Sequence, residues 1–407
     1  MTIGIGIGGS TAELELAKLA DMTAGVKAVS LQEFNARIVQ AQAIMQREGI
    51  NAIYLNAGTN LYYFTGMRWG AGERLVGAIL PAIGDVQFIA PRFEQDTINE
   101  FMVVKGPLHC WHEHENPAQL FGEVLAQLNV TTGVVGIDEA TAFFMFNNIR
   151  HANPQFEYID AKAVTAGCRQ QKSDTEIALL QRAKDMTLEV HKAAARILRL
   201  DICTTEVEEF IHQAHKVVGA PKGSYFCIVL FGKASSFPHG VKDPQFLKQD
   251  DVVLIDTGCQ LQGYNSDITR TYVFGEASNE VRAAWLSEKN AQQAAFDAAQ
   301  INVPCQEVDA AARVSLEADG FGPGYDLPGL PHRTGHGIGL DIHEWPYLVG
   351  NDTTPLAKGM CFSNEPMLVI PGKFGIRLED HFYMTDAGPK WFTQPSHSID
   401  DPFGYQA

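Results

Sequence analysis

The sequence is short of positive charge, of paired cysteines and of long apolar runs, and each shortage excludes something. Lys and Arg number 31 against 48 Asp and Glu, for a net charge of −17. Phosphate backbones would be repelled, so nucleic acid is excluded as the main partner. The seven cysteines are scattered, odd in number and free of any C-x-x-C pair. That argues against a disulfide framework or a thiolate zinc site and points to a reducing, cytoplasmic compartment. No apolar run reaches the roughly 18 residues that a membrane helix requires, so no membrane partner is expected. Met1–Asp21 has no basic residue before its apolar stretch and does not read as a secretory signal. The glycine-rich start Ile3–Gly9 lacks the preceding strand of a dinucleotide loop and is expected to be a flexible terminus.

What is present is an ordinary globular composition, with 45% hydrophobic and 19% charged residues in 407. At about 150 residues per domain this length suggests two or three domains. Up to about Cys168 the chain alternates helix-like and strand-like stretches, predicting a small α/β domain over 1–168. Leu31–Glu48 has helical periodicity, while Ala52–Leu55, Leu75–Leu80 and Val86–Ile89 read as strands. A second, α+β domain is expected over 169–407, opened by the capping box Ser173-Asp174-Thr175-Glu176.

Within that second domain one pattern occurs twice. A long helix (173–200), a shorter one (205–218), His239 and a strand pair (252–274) are followed by helices 279–299 and 304–319, His336 and a strand pair (360–384). Thr205 with Glu208, and Ser278, are the expected helix caps, and Pro304 starts the fourth helix. Both histidines are placed in tight glycine-containing turns. Two similar helix–helix–hairpin halves should enclose a cleft.

The apolar run Val252–Ile255 ends in Asp256, and Asp267 starts the returning strand. An unpaired acid at the end of a buried strand is costly. Asp256 and Asp267 are symmetric about the loop Gly258–Gly263, and Glu365 and Glu379 about Gly372, so each pair is predicted to face across its hairpin. Two facing acid pairs repel unless positive charge lies between them. Two divalent ions would cancel the four charges. Oxygen ligands with one imidazole, from His336, suit Mn²⁺, Co²⁺, Fe²⁺ or Zn²⁺, with Mn²⁺ the leading expectation.

Residues 252–274, 332–347 and 362–384 resemble the pita-bread metallopeptidases, in particular the Xaa-Pro aminopeptidases and prolidases, over about 173–390. The motifs are Asp256 and Asp267, Gly335-His336-Gly337-Ile338-Gly339, Glu365-Pro366 and Arg377-Leu378-Glu379-Asp380. Asn60-Leu61-Tyr62-Tyr63-Phe64-Thr65-Gly66 is similar to the creatinase-type N-terminal domain of the same group. The resemblance implies that Asp256 chelates one ion, that Asp267 and Glu379 bridge both, and that His336 and Glu365 hold the second. It implies a bridging water as nucleophile, with its pKa lowered by both cations, and Glu365 as the proton shuttle to the leaving amine. His239 would contact substrate near the scissile bond, and His343 would stabilise the oxyanion. Arg377, on the strand face of Glu379, would orient Glu379 or a substrate carboxylate.

Met367 and Val369 replace a Gly and a Tyr often found after the Glu-Pro pair in the family, which leaves the substrate pocket open. The function so implied is a dinuclear exopeptidase acting on peptides with proline second, either a dipeptidase or an aminopeptidase. The alternative is a non-peptidase on the same scaffold, a creatinase-like hydrolase or a metal-dependent lyase; a binding module without catalysis is a third. The expected partners are a small peptide and a second copy in a homodimer. The Gly-rich tip Met67–Arg74 is either an arm toward that copy or a plain surface loop. The tract His109–Glu115 reads as a surface segment, His212 and His215 as core or partly exposed residues, and His381 as structural.

Overall fold

A computed structural model describes residues 4–406, which form two compact units. The smaller is Val29–Arg169. Its strands are β1 (Ala52–Asn56), β2 (Gly77–Pro81), β3 (Gln87–Pro91), β4 (Leu108–Trp111), β5 (Gly133–Ile137) and β6 (Phe156–Asp160). They make one sheet in the order β4-β3-β2-β1-β5-β6, in which the β1–β2 and β2–β3 pairs are antiparallel and the rest parallel. Helix Leu31–Glu48 forms where periodicity predicts. Ser30 caps its start, Gly49 ends it in the left-handed region, and Phe34, Ala41 and Met45 make its buried stripe. The histidine tract lies on edge strand β4 and the exposed loop after it, where His112 and His114 stack with centroids 5.8 Å apart.

The larger unit joins the chain up to Ala28 with everything from Gln170 onward. The expected boundary put all of 1–168 in the N-terminal domain, so this first segment is placed differently. The reason is local bonding. Ile5 N donates to Asp400 O at 2.8 Å, Gly8 N donates to Ala195 O at 2.8 Å, and Ile7 is buried. A Cβ on Gly4 would stand 2.9 Å from Asp400 O, so the glycine run serves close approach to the C-terminal segment. The expectation of a flexible terminus fails for Gly4–Gly9; Ile3 lies outside the described residues.

Helix Asp174–Arg196 opens with the Ser173–Glu176 capping box and buries a stripe including Leu180, Ala183, Val190 and Ala194. Helix Thr204–Val217 starts earlier than predicted, because the box is Cys203 with Glu206 rather than Thr205 with Glu208. The Thr204 hydroxyl accepts from Gln245 N at 3.3 Å, which fixes the chain one residue sooner. The second half repeats the pattern with helices Asn279–Ala298, capped by Ser278, and Cys305–Ala318, capped by Pro304.

The strands of this unit are β7 (Ser224–Phe231), β8 (Asp251–Leu261), β9 (Tyr264–Asn265), β10 (Ile268–Phe274), β11 (Gly335–Gly337), β12 (Glu344–Leu348), β13 (Cys361–Asn364), β14 (Met367–Ile370), β15 (Phe374–Arg377), β16 (Asp380–Thr385) and β17 (Gly388–Trp391). The first half makes the sheet β10-β8-β7 with β9 on β8. The second makes β12-β11-β13-β16-β17 and the pair β14-β15. An isolated bridge, Thr269 to Glu379, joins the two halves at their seam. Among the described residues no helix is long and apolar enough to cross a membrane.

Candidate metal centre

The hairpin registers decide which acids meet. In the first half Asp256 faces Thr269, not Asp267. The predicted centre was wrong because β8 runs on to Leu261 and turns through Gln262 and Gly263 alone, both at positive φ, 52° and 89°. That two-residue turn shifts the register by two residues. Asp256 and Asp267 remain on one face as diagonal neighbours, since the side-chain period is also two. In the second half the ladder is broken between Asn364↔Asp380 and Met367↔Arg377, and the same register on both sides puts Glu365 across from Glu379 as predicted.

His336 lies on β11 and is buried, whereas a tight turn was expected. The flanking glycines serve strand packing: a Cβ on Gly335 would stand 2.1 Å from Ser363 O, and one on Gly337 2.5 Å from Glu344 O. His239 is in a turn and is exposed. His343 follows β11, its ring centroid 4.1 Å from that of His336.

Asp267, His336 and Glu379 each offer a ligand atom within 4.8 Å of the others, and all three are buried. His336 Nε2 is 3.0 Å from Glu365 Oε1 and 3.9 Å from Asp267 Oδ2. His336 Nδ1 is 3.0 Å from Gly337 O, which can only accept, so Nδ1 carries a proton and Nε2 is the nitrogen aimed at the carboxylates, where a bound cation would take its lone pair. Asp256 Oδ1, Asp267 Oδ1 and Glu379 Oε1 are buried without a hydrogen-bond partner. Unpaired buried carboxylate oxygens that converge on an imidazole lone pair are the donor set of a hard or borderline divalent cation. The residues present therefore fit such an ion.

Against the protein's own groups alone, burial and then the neighbouring carboxylates push Asp267 and Glu379 well above the ordinary carboxylate range. Burial also raises Asp256, opposed by Arg377. Burial acts to raise Glu365 too, but the hydrogen bond to and charge of His336 outweigh it and hold it low. Desolvation beside the His336 ring, with the charges of His336 and Arg333, pushes His343 down to about 4.

Arg377 clamps Asp256 through Oδ2 rather than meeting Glu379 directly. Its Nε donates to Thr269 Oγ1 at 3.1 Å, and that hydroxyl donates to Glu379 Oε2 at 2.7 Å. Its Nη1 reaches Pro238 O at 3.2 Å, beside His239. Met367 is buried with its sulfur 3.9 Å from Arg377 Nη1, and it shares with Val369 the apolar cluster of Leu348, Phe362 and Phe382. His381 is buried, its Nε2 3.8 Å from Glu379 Oε1. Sequence reading missed Thr269 and also Ser363, which donates to Glu365 Oε1 at 3.1 Å and accepts from His336 N at 2.9 Å. Each lies two residues from a predicted ligand and so on the same strand face, a signal that alternation offered. It also missed Lys184, buried with its charge close enough to favour ionised Asp267 and Glu379 and pushed by burial to about 8.

Residues 178–386 match the model of metallopeptidase family M24, and 37–171 match the creatinase/prolidase N-terminal domain. The provisionally named dipeptidase YkvY of Bacillus subtilis (strain 168) is 30% identical over 365 residues, 88% of this chain and 97% of that protein. The crystal structure of dipeptidase PepE from Mycobacterium ulcerans superposes with a TM-score of 0.84 at 29% identity, covering 91% of this chain and 98% of that one. That of a prolidase from Thermococcus sibiricus gives 0.79 at 29% identity, covering 89% and 97%.

Proposed function

Because this chain belongs to metallopeptidase family M24 and carries a creatinase/prolidase N-terminal domain, we propose that it is a dinuclear metal-dependent exopeptidase that hydrolyses the Xaa-Pro bond of dipeptides or short peptides. The observation that carries the reading is the convergence of ligand atoms from buried Asp267, His336 and Glu379, together with the buried, unpartnered oxygens on Asp256, Asp267 and Glu379. Its proline preference draws support from the solved prolidase that the chain resembles.

Asp256, Asp267, His336, Glu365 and Glu379 hold two divalent ions, Mn²⁺ first among them. Bound there, the ions supply Lewis acidity for the scissile carbonyl and a water acidified toward neutral pH. Glu365, ionised beside His336 and mostly buried, takes the proton from the attacking water and returns it to the leaving amine. His343, neutral at neutral pH and seated against His336, donates to the developing oxyanion. His239, in the exposed turn beside Pro238, whose carbonyl Arg377 Nη1 reaches, contacts substrate beside the scissile bond. Arg377 and Thr269 position Asp256 and Glu379. All seven cysteines are free thiols, which supports a reducing, cytoplasmic setting. A homodimer belongs to the same reading and is checked by sedimentation.

The test is a panel of Xaa-Pro dipeptides, longer Xaa-Pro peptides and non-proline controls with Mn²⁺. Cleavage confined to dipeptides identifies a dipeptidase, and cleavage of longer chains an aminopeptidase. No cleavage of any peptide, or no preference for proline, contradicts the reading.

A further inference from the structure

Glu365 and Glu379 lie where the ladder of the second half is broken, between Asn364↔Asp380 and Met367↔Arg377. The register on either side would set Leu378 opposite Pro366, which has no N–H to give. Glu365 N donates elsewhere, to Thr334 O at 2.9 Å, and Glu379 N to Thr269 O at 3.0 Å. The strands therefore need another means of fixing their separation at this point.

Helix Asn279–Ala298 supplies it. Gln292 Nε2 donates to Leu378 O at 2.9 Å and to Asn364 O at 3.2 Å. One amide thus grips the carbonyls of the two residues that precede Glu379 and Glu365. Asn364 Nδ2 donates back to Gln292 O at 2.8 Å, and Leu378 N donates to Glu288 Oε1 at 3.2 Å. Glu288 and Gln292 are one turn apart on the helix, hence on one face, and both are buried. Buried backbone groups must be paired, and these are paired by a helix instead of by the facing strand.

We propose that Gln292, supported by Glu288, is a positioning residue of the metal centre. Its side-chain amide stands in for the ladder bond that Pro366 cannot make, and so sets the separation of Glu365 from Glu379. The role rests on the reading that these two acids ligate metal. Asp256 lies on the other hairpin, whose β8–β10 ladder runs unbroken from Asp251 to Thr257, so its ion depends less on Gln292.

The experiment is calorimetric titration of Mn²⁺ into chelator-treated wild type, Gln292→Met, Glu288→Leu and Thr393→Val, with a urea midpoint for each. Gln292→Met keeps the volume and loses the donors. It should loosen one of the two ions by about 10- to 100-fold and leave the other within about threefold. Glu288→Leu should loosen the same ion by a smaller factor, and it carries the test if Gln292→Met does not fold. Thr393→Val removes a 2.6 Å bond to Asp380 Oδ1 on the same strand. It should lower the urea midpoint and leave both Mn²⁺ affinities unchanged. If it loosens Mn²⁺ as much as Gln292→Met does, the effect is general softening and the proposal falls. Unchanged affinities beside a lowered midpoint, or equal loss of both ions, also overturn it, even if Xaa-Pro peptides are cleaved. Loss of one ion in Gln292→Met, when the wild type binds two and cleaves no peptide, upholds the positioning role and removes the exopeptidase reading.

Discussion

Glu379 and Asp380 are adjacent, both buried, and point to opposite faces of the same strand, yet they are treated in opposite ways. Asp380 is held in a two-point pair by Arg270, at 2.7 and 3.1 Å, and accepts from Thr393 Oγ1 at 2.6 Å. Both partners of that pair are 0% exposed. Glu379 accepts from Thr269, while its other oxygen has no hydrogen-bond partner, and its carboxylate lies together with Asp267 and His336. A buried charge costs several kcal/mol unless paired. On one face the chain supplies its own cation. On the other it assembles acids that repel, with Arg377 bound to one of them. The first face holds the halves together; the second is built for cations that come from outside.

The largest expected effect breaks the outward face. Glu379→Ala should lower Mn²⁺ affinity by more than ~100-fold and remove peptide hydrolysis with it, read by metal titration and turnover, while the circular-dichroism spectrum is kept. Wild-type turnover in that variant contradicts the assignment. Asp380→Asn breaks the inward face instead. It should cost about 3–5 kcal/mol in urea unfolding by leaving the buried Arg270 charge unpaired, with Mn²⁺ per folded chain unchanged. If it removes metal and leaves stability intact, the two faces have been assigned the wrong way round. Thr269→Val lies on the seam and should cost roughly 10- to 100-fold in metal affinity, because Glu379 Oε2 and Arg377 lose their shared hydroxyl.

The smallest effect is a pH slope. The values of Asp267 and Glu379 are raised well above 3.8 and 4.5, so in chelator-treated protein the folded state binds more protons than the unfolded state above that range. Stability should then fall as pH rises through the window, and Mn²⁺ should restore it increasingly as pH rises. Glu365, held low, adds its slope below 4.5 and not in this window. Urea midpoints with chelator and with Mn²⁺ at several pH values read the difference; a gap that does not widen with pH contradicts it.

Much of the centre was legible because its signals are local. A carboxylate at the end of an apolar strand, a His between glycines and an acid before a proline are short patterns, and they pointed to Asp256, His336 and Glu365. Helix ends with strong caps, such as Ser30 and Ser173, were equally legible. The register of β8 was not, because Gln262 adopts positive φ without the Asn or Asp that usually signals such a turn. Gly335 and Gly337 suggested a turn, yet their lack of a side chain is used for contact with carbonyls supplied by distant strands. The N-terminal glycines likewise meet a partner at the other end of the chain. Such uses depend on what packs against a residue, and periodicity carries no trace of that.

The most direct test is a count of Mn²⁺ bound per chain at saturation, taken by equilibrium dialysis of the chelator-treated wild type. Two ions are expected, with release of protons from Asp267 and Glu379 as they bind. One ion or none, or two in the Glu379→Ala variant as well, would contradict the two-ion centre.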